Sequence, residues 1–461
     1  MSARKPVRTR REFLSDTART AATAGALTAW GRQAWAREQR RDDGRPPNLV
    51  WIWCDNLAYG DLGCYGNERA HTPNIDRLAD QGARFTQYYI AHTVCSPSRA
   101  GLLTGRQPWR TGIVDVLRPD GPSGLPDDEI TLGAALKERG YATAAFGKWH
   151  LGDRREFLPL QHGFDHWYGL PYSMDMRPTL LYRDNEIAER LPGDGVQDVT
   201  TRLTDDAIDF MRGHQEEPFF LYFSHPIPHP PLNIPERCRR PDRNIYEDAV
   251  SYMDEQTGRI LDALDELGLA DNTIVAFSSD NGPMGKYGET AGLRGGIRDA
   301  YEGGIRVPLV MRYPGHIPAG GTVDTPAIAY DIFPTFLGRA GGAVPDDRVY
   351  DGIDIWPLCT GAGAVERDEP MVWVYFDNVT TVREGDWKLH VGHRNKRLDP
   401  PELYNLAEDP QETTPVNDAH PNELARLAKY ATAYEKEVPK VWSLQYPVRD
   451  PAKRPSGVRR E

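Results

Sequence analysis

The sequence predicts an α/β fold: a doubly wound, mostly parallel sheet flanked by helices, followed by a smaller C-terminal subdomain built on an antiparallel sheet. Three observations predict it. Short apolar runs of strand length alternate with segments of helical periodicity. Several of those runs end in polar motifs, and the carboxyl ends of strands in an open parallel sheet are where ligands bind. Past Asp351 the alternation stops, leaving short strands with turn signals and no helical crossovers between them. The chain has 461 residues, 39% of them hydrophobic and 26% charged, enough apolar mass for one large core and a smaller appendage.

In order, residues 48–53 (NLVWIW) read as a buried strand that delivers Cys54, Asp55 and Asn56 to its end, before a glycine-rich loop. Residues 73–82 read as a short helix starting near Thr72, and residues 84–90 as a strand. Residues 130–139 form an amphipathic helix stopped by Gly140, and residues 141–146 a strand ending in GKWHLG. Residues 153–197, rich in Pro, Gly, Tyr and Asp, read as an irregular insertion facing a substrate. A helix over 199–214, a strand over 219–223 ending in SHPIPHPP, a helix over 246–267 and a strand over 273–277 ending in SSDNG continue the alternation. A strand over 307–311 and a helix over 327–339, interrupted by Pro334, close the large domain. MVWVYF, TTVREGDWKLHVG and PELYNLAEDP give the small sheet, and residues 421–437 a last helix. The expected organisation is residues 1–36 as an export signal, 37–47 as a linker, 48–350 as the large domain, 351–446 as the C-terminal subdomain and 447–461 as a loose basic tail.

The first 36 residues place Arg10 and Arg11 ahead of a weakly apolar segment and Ala34-Trp35-Ala36. That order resembles a twin-arginine export signal, which implies a periplasmic or secreted protein. Removing these residues takes away seven Lys/Arg and two Asp/Glu, so the formal charge of −12 becomes −17. So acidic a surface excludes a nucleic-acid partner, and an anionic substrate must be drawn in by local cations. No run of eighteen apolar residues exists, which excludes stable membrane insertion. Of the five cysteines, Cys54, Cys64, Cys238 and Cys359 allow three pairings or none, and read by default as small core residues.

The stretch CSPSRAGLLTG, Cys95 to Gly105, carries the chemistry. Pro97 suits the first turn of a helix, which puts Cys95 at a helix N-terminus, where unpaired amides and the dipole favour an anion. Arg99, one turn along on the same face, adds a fork of donors. Cys-x-Pro-Ser-Arg-x-x-x-Leu-Thr-Gly resembles the signature of the formylglycine-dependent sulfatases. That resemblance implies an alkaline-phosphatase-like α/β fold and a sulfatase acting on aryl or carbohydrate sulfates. It also implies oxidation of Cys95 to formylglycine by a formylglycine-generating enzyme, with the hydrate attacking sulfur. Its second hydroxyl lets sulfate leave and the aldehyde re-form.

Two strand ends carry acid-amide pairs, Asp55 with Asn56 and Asp280 with Asn281. One such pair reads as a turn; two, each ending an apolar strand, read as hard oxygen ligands for Ca²⁺ or, alternatively, Mg²⁺. The resemblance implies that this metal is held against the sulfate and formylglycine. The commoner family pattern has two aspartates at the first pair, so Asn56 lowers the negative charge of the ligand set. The resemblance further makes Lys148 a sulfate ligand, His150 the partner of formylglycine and His229 the contact to the leaving ester oxygen, while His225 reads as structural. YEGGIRVP, Tyr301 to Pro308, matches the family, but the lysine commonly five positions before its Glu is replaced by Ile297. Arg298 is the nearest candidate for the missing substrate-binding cation, and Arg294 the next. Two alternatives remain: a formylglycine-dependent phosphodiesterase or phosphonate monoester hydrolase, and a non-catalytic binder of sulfated glycans in which Cys95 stays a thiol.

Overall fold

The computed structural model describes residues 44–192 and 196–439. The predicted export signal, most of the linker and the predicted tail lie outside the described residues. The strands of the large sheet are β1 (Asn48–Cys54), β2 (Ala83–Tyr89), β3 (Ala142–Lys148), β4 (His166–Leu170), β5 (Leu180–Arg183), β6 (Glu186–Arg190), β7 (Phe219–Ser224), β8 (Thr273–Ser279), β9 (Arg306–Arg312), β10 (Gly321–Val323) and β11 (Ala327–Ile328). Among them run helices α1 (Pro73–Asp80), α2 (Cys95–Thr104), α3 (Leu132–Lys137), α4 (Val199–Gly213), α5 (Ile245–Glu266) and α6 (Glu302–Ile305). Then come α7 (Ile332–Arg339), α8 (Trp356–Thr360), the second sheet of β12 (Met371–Tyr375), β13 (Asn378–Glu384), β14 (Trp387–His393) and β15 (Lys396–Asn405), and the closing helix α9 (Pro421–Glu437).

The middle of the large sheet runs β8-β1-β7-β3-β4, all parallel. Strand β1 explains why it sits at the centre. Leu49, Trp51 and Trp53 join one apolar cluster with α2 and α7, while Val50, Ile52 and Cys54 join another with α1, α4 and α5. Both faces of β1 are therefore covered, which is why it reads as a continuous apolar run. The long helix α5 starts at a capping box formed by Asn244 and Glu247. Its Asp254 carboxylate accepts from the Ile75 amide at 2.8 Å, holding the first turn of α1.

The structure corrects the sequence-based expectations at several points. Residues 153–197 are not merely irregular: β4 continues the parallel sheet, and the β5-β6 hairpin extends it antiparallel to the edge. Residues 327–339 are not one helix. Ala327 and Ile328 pair with β2, a 3-10 turn follows, and the helix starts at Ile332, so Pro334 lies in the first turn and interrupts nothing. The helix expected over 130–139 spans only 132–137, because Thr131 caps it through the Ala134 amide. At the other edge β9 runs antiparallel to both β8 and β2. All five cysteines are free.

The second sheet packs its apolar face under α9. A buried charge cluster ties it to the large sheet. Lys388 of β14 lies 2.8 Å from Glu302 and 3.1 Å from Glu412, and His390 lies 2.5 Å from Glu412. Glu302 also accepts from the Tyr89 hydroxyl of β2 at 2.7 Å, and Arg383 reaches that same hydroxyl. The two glycines after Glu302 have a steric reason: a Cβ on Gly304 would come within 2.1 Å of the Asp299 carbonyl, so the preceding loop can fold onto α6 only over a bare backbone.

Candidate active site

Register places the first four groups of the site. Cys54 pairs with Ser279 in the parallel β1-β8 ladder, so the next residues, Asp55 with Asn56 and Asp280 with Asn281, leave the sheet side by side. The Asp280 amide bonds to the Cys54 carbonyl at 3.0 Å, and the Asn56 amide to Asp280 Oδ1 at 3.2 Å. Asn56 takes a left-handed φ of 70°, which a short amide side chain tolerates, and this turns its Oδ1 to within 4.0 Å of Cys95 Sγ. Strand β3 adds Lys148 from the far side of β7. A Cβ on Gly147 would approach the Ser224 carbonyl to 1.9 Å, so only glycine lets β3 and β7 close up before Lys148.

Cys95 opens α2, every residue of which is buried, and its Sγ lies 3.5 Å from Asp55 Oδ1. Arg99 is wholly enclosed. It donates to Asp280 Oδ2 through Nε at 3.0 Å and Nη2 at 2.7 Å, and through Nη1 to the Lys148 carbonyl and the Ser224 hydroxyl. Lys148 Nζ sits 2.6 Å from Asp55 Oδ2. Two carboxylates thus face two permanent cations around one sulfur, with no exposure to water. Burial alone would raise the Asp55 carboxyl, but Lys148, His229 and Arg99 hold it well below the usual carboxylate range. Burial and then the neighbouring Asp55 push Asp280 up, Arg99 notwithstanding. The Cys95 thiol is raised by burial and then by Asp280, so as a plain cysteine it stays protonated and is a poor nucleophile.

His150 Nε2 bonds to the Leu117 carbonyl at 3.1 Å, and Nδ1 is buried without a partner. Burial, then Lys148 and Arg99, push this ring well below the ordinary histidine range, so it is neutral and Nδ1 carries a lone pair. His229 bonds through Nδ1 to the Pro230 carbonyl at 2.5 Å and lies close enough to Asp55 to lower its carboxyl. His225 is enclosed against Thr257. The structure brings Asp55, Asn56, Cys95, Arg99, Lys148, Asp280 and Asn281 together, with His150 and His229 beside them. It does not bring Arg298 into hydrogen-bonding contact with any of these. Only its backbone amide reaches the neighbourhood, at the Thr93 carbonyl, while Nη1 binds Asp115 at 3.2 Å and the Tyr375 hydroxyl at 2.6 Å. Arg294 turns to the C-terminal sheet, bonding Tyr404 and the Glu412 carbonyl. Ser224 and the Leu117 carbonyl were not legible as site groups, although Ser224 is another residue at a parallel strand end.

The donor set suits a hard divalent cation. Ligand atoms of Asp55, Cys95 and Asp280 lie within 4.8 Å of one another. Asn281 Oδ1 is buried with no hydrogen-bond partner, an acceptor that a cation would satisfy. A cation among these oxygens would also relieve the repulsion between Asp55 and Asp280.

The sulfatase family profile matches residues 47–343, more than half of the chain. The chain belongs to the sulfatase family. A second profile, N-sulphoglucosamine sulphohydrolase, C-terminal, matches residues 297–432. The N-acetylgalactosamine-6-sulfatase of Canis lupus familiaris is 37% identical over 380 residues, covering 75% of this sulfatase and 72% of that protein. Arylsulfatase A of Homo sapiens is 36% identical over 426 residues, covering 80% and 83%. The crystal structure of Ps i-CgsB in complex with k-i-k-neocarrahexaose superimposes with a TM-score of 0.78 at 29% identity, covering 88% of this chain and 98% of that one. This sulfatase is therefore a sulfuric ester hydrolase. Family membership implies formylglycine at the signature cysteine and a divalent metal. Among the described residues no helix is long and apolar enough to cross a membrane.

Proposed function

We propose that the sulfatase cleaves a small-molecule or glycan sulfate monoester at Cys95, within residues 48–350, and is exported by its first 36 residues after a formylglycine-generating enzyme has acted on it. The observation that carries this reading is the sealed arrangement of Lys148 and Arg99 against Asp55 and Asp280 around Cys95. Formylglycine from Cys95 supplies an oxygen nucleophile, and Ca²⁺ or Mg²⁺ held by Asp55, Asn56, Asp280 and Asn281 supplies positive charge for the sulfate oxygens.

The remaining work falls to the chain's own groups. Sulfate monoesters resist attack because a nucleophile meets anionic oxygens, and Lys148 and Arg99 neutralise that charge from fixed positions without reorganisation. Neutral His150, anchored through Nε2, presents Nδ1 as an acceptor for a proton of the nucleophile. His229, anchored through Nδ1, keeps Nε2 to deliver a proton to the leaving oxygen. Arg298 bonds through Nη1 and keeps Nε and Nη2 for the substrate, in place of the cation absent at Ile297.

The mature protein should turn over 4-nitrophenyl sulfate far faster than bis(4-nitrophenyl) phosphate, lose that activity on chelation and regain it with Ca²⁺ or Mg²⁺. A preference for the diester would replace the reading with a phosphodiesterase. Binding of sulfated glycans without turnover of either ester would replace it with a non-catalytic binder. For His229→Ala, esters of poor leaving groups should slow by about 10²-fold or more, whereas an activated aryl sulfate, which leaves without a proton, should slow far less. Equal losses on both would remove His229 from the proton-donor role.

A further inference from the structure

A cavity of about 560 Å³ opens on the far side of His150 from the charge cluster, and nothing in the proposed chemistry uses it. Its walls include Asp120, Asp153, Arg154, Tyr172, Tyr182 and Arg190. Two segments build it: the stretch around Pro119 and Asp120, and the insertion that carries β4, β5 and β6. They are joined by the Asp120 amide, which donates to Asp153 Oδ2 at 2.8 Å.

The cavity and the reaction centre share a wall. The His150 ring meets Tyr172 edge to face at 5.4 Å, and the His150 amide bonds to the Pro171 carbonyl at 3.0 Å. On its other side the same ring feels Lys148, Arg99 and Asp55. Tyr172 and His150 thus form the partition between this cavity and the charge cluster.

Its chemistry is specific. Tyr182 is stacked on Trp167 at 5.2 Å with 23° between the rings, a fixed aromatic surface continued by Pro119, Pro171 and Pro178. The Tyr172 hydroxyl and Asp153 Oδ1 are buried and face each other: burial and then the Asp153 carboxylate push the phenol up. Tyr172 is only 4% exposed. A protonated phenol set against a carboxylate presents a donor and acceptor pair to a sugar hydroxyl. The charges are equally selective. Two other arginines of the insertion are ion-paired, Arg155 with Glu186 and Arg183 with Asp206, and Arg177 is bonded to the Met174 carbonyl and the Thr179 hydroxyl. Arg154 and Arg190 are exposed and have no ion-pair partner among the described residues. Two unpaired guanidinium groups beside a cavity, in a chain of formal charge −12, fit an anionic group.

We propose that this cavity is a subsite for an acidic sugar unit linked to the sulfated one, so that the substrate is an acidic sulfated glycan and not a simple aryl or steryl ester. Apolar faces of the pyranose lie against Tyr182 and the prolines, its hydroxyls meet Asp153 and Tyr172, and its carboxylate or sulfate meets Arg154 and Arg190. The proposal rests on the reading of Cys95 as the reaction centre.

The test uses the mature enzyme, a tetrasaccharide of alternating glucuronate and N-acetylglucosamine, and a neutral tetrasaccharide of N-acetylglucosamine, with binding measured by calorimetry. The uronate probe should bind better than the neutral one. Arg154→Ala with Arg190→Ala should weaken it at least about tenfold, while turnover of 4-nitrophenyl sulfate stays as in the unaltered enzyme. Equal binding of the two probes, no binding of the uronate probe, or unchanged binding in the double variant would overturn the subsite. So would a parallel loss of aryl sulfate turnover, which would make the arginines part of the general site. An unmodified thiol at residue 95 in an enzyme selective for the uronate probe would instead overturn the reaction assigned to Cys95 and leave the subsite standing.

Discussion

Replacing Cys95 with alanine is expected to lower kcat/KM on sulfate esters by about four to six orders of magnitude with the fold intact. The side chain is 3% exposed, at the first position of a wholly buried helix, with its sulfur against Asp55 and Asn56. Alanine removes one sulfur from that pocket and leaves Arg99, Lys148, Asp55 and Asp280 bonded to each other as before. Binding of sulfate should survive and turnover should not. Peptide mass spectrometry of the unaltered enzyme should find formylglycine at residue 95, and an intact thiol in fully active protein would remove the assigned chemistry. Cys95→Ser is the sharper variant. One hydroxyl can attack, but no second one can expel the sulfate, so a single turnover should leave the serine sulfated.

Lys388→Met should be the most destabilising single change outside the reaction centre, at about 3 to 5 kcal/mol, read from denaturant unfolding. Lys388, Glu302 and Glu412 have no exposed side-chain surface, so methionine would leave two carboxylates buried against each other without their shared cation. Burial tends to raise Glu302, but Lys388, Arg383 and Arg306 hold it below its ordinary value of 4.5, so it is ionised in the folded state. A carboxyl depressed by folding adds stability that is complete above its unfolded pKa and is lost as pH falls below it. His390 works in the same direction: burial lowers it, outweighing Glu412, so it folds neutral and its contribution is lost as pH falls through its unfolded value of 6.5. The unaltered protein should therefore loosen on acidification. In Lys388→Met the Glu302 carboxyl must take up a proton on folding, so the deficit should shrink as pH falls, and adding Glu302→Gln should recover part of it. A deficit independent of pH would mean that packing, not charge, sets the cost.

The parts of the site legible in the sequence are those that a strand delivers. Asp55, Lys148 and Asp280 each sit at or just past the end of a buried parallel strand, and the sheet then makes residues nearly a hundred or more positions apart into neighbours. The CSPSR helix was legible because proline and the small residues after it leave few local alternatives. Other features carry no such local signal. Strand β6 is exposed and mostly charged, and β5 is only four residues long, so the hairpin reads as loop. Ala327 and Ile328 look helical in isolation, and only pairing with β2 makes them a strand. The hold of the Leu117 carbonyl on His150 involves a backbone atom, which no side-chain pattern can announce. The cluster of Glu302, Lys388, His390 and Glu412 joins motifs that look unrelated along the chain. It explains WKLH as the counterpart of YEGG, a pairing that appears only once the two sheets are in contact.

The place of the β5-β6 hairpin has a consequence for how this scaffold can diversify. It hangs from the outer edge of the sheet through two residue pairs with β4, Tyr168 with Arg183 and Gly169 with Tyr182. Strands β4, β3 and β7 stand between it and β1. Insertions, deletions or whole-hairpin exchange there leave the β1-β8 ladder untouched, and with it the spacing of Asp55 and Asp280. Selection can rewrite what the molecule recognises while the reacting centre stays as it is, and a library confined to residues 180–190 is the economical way to redirect it.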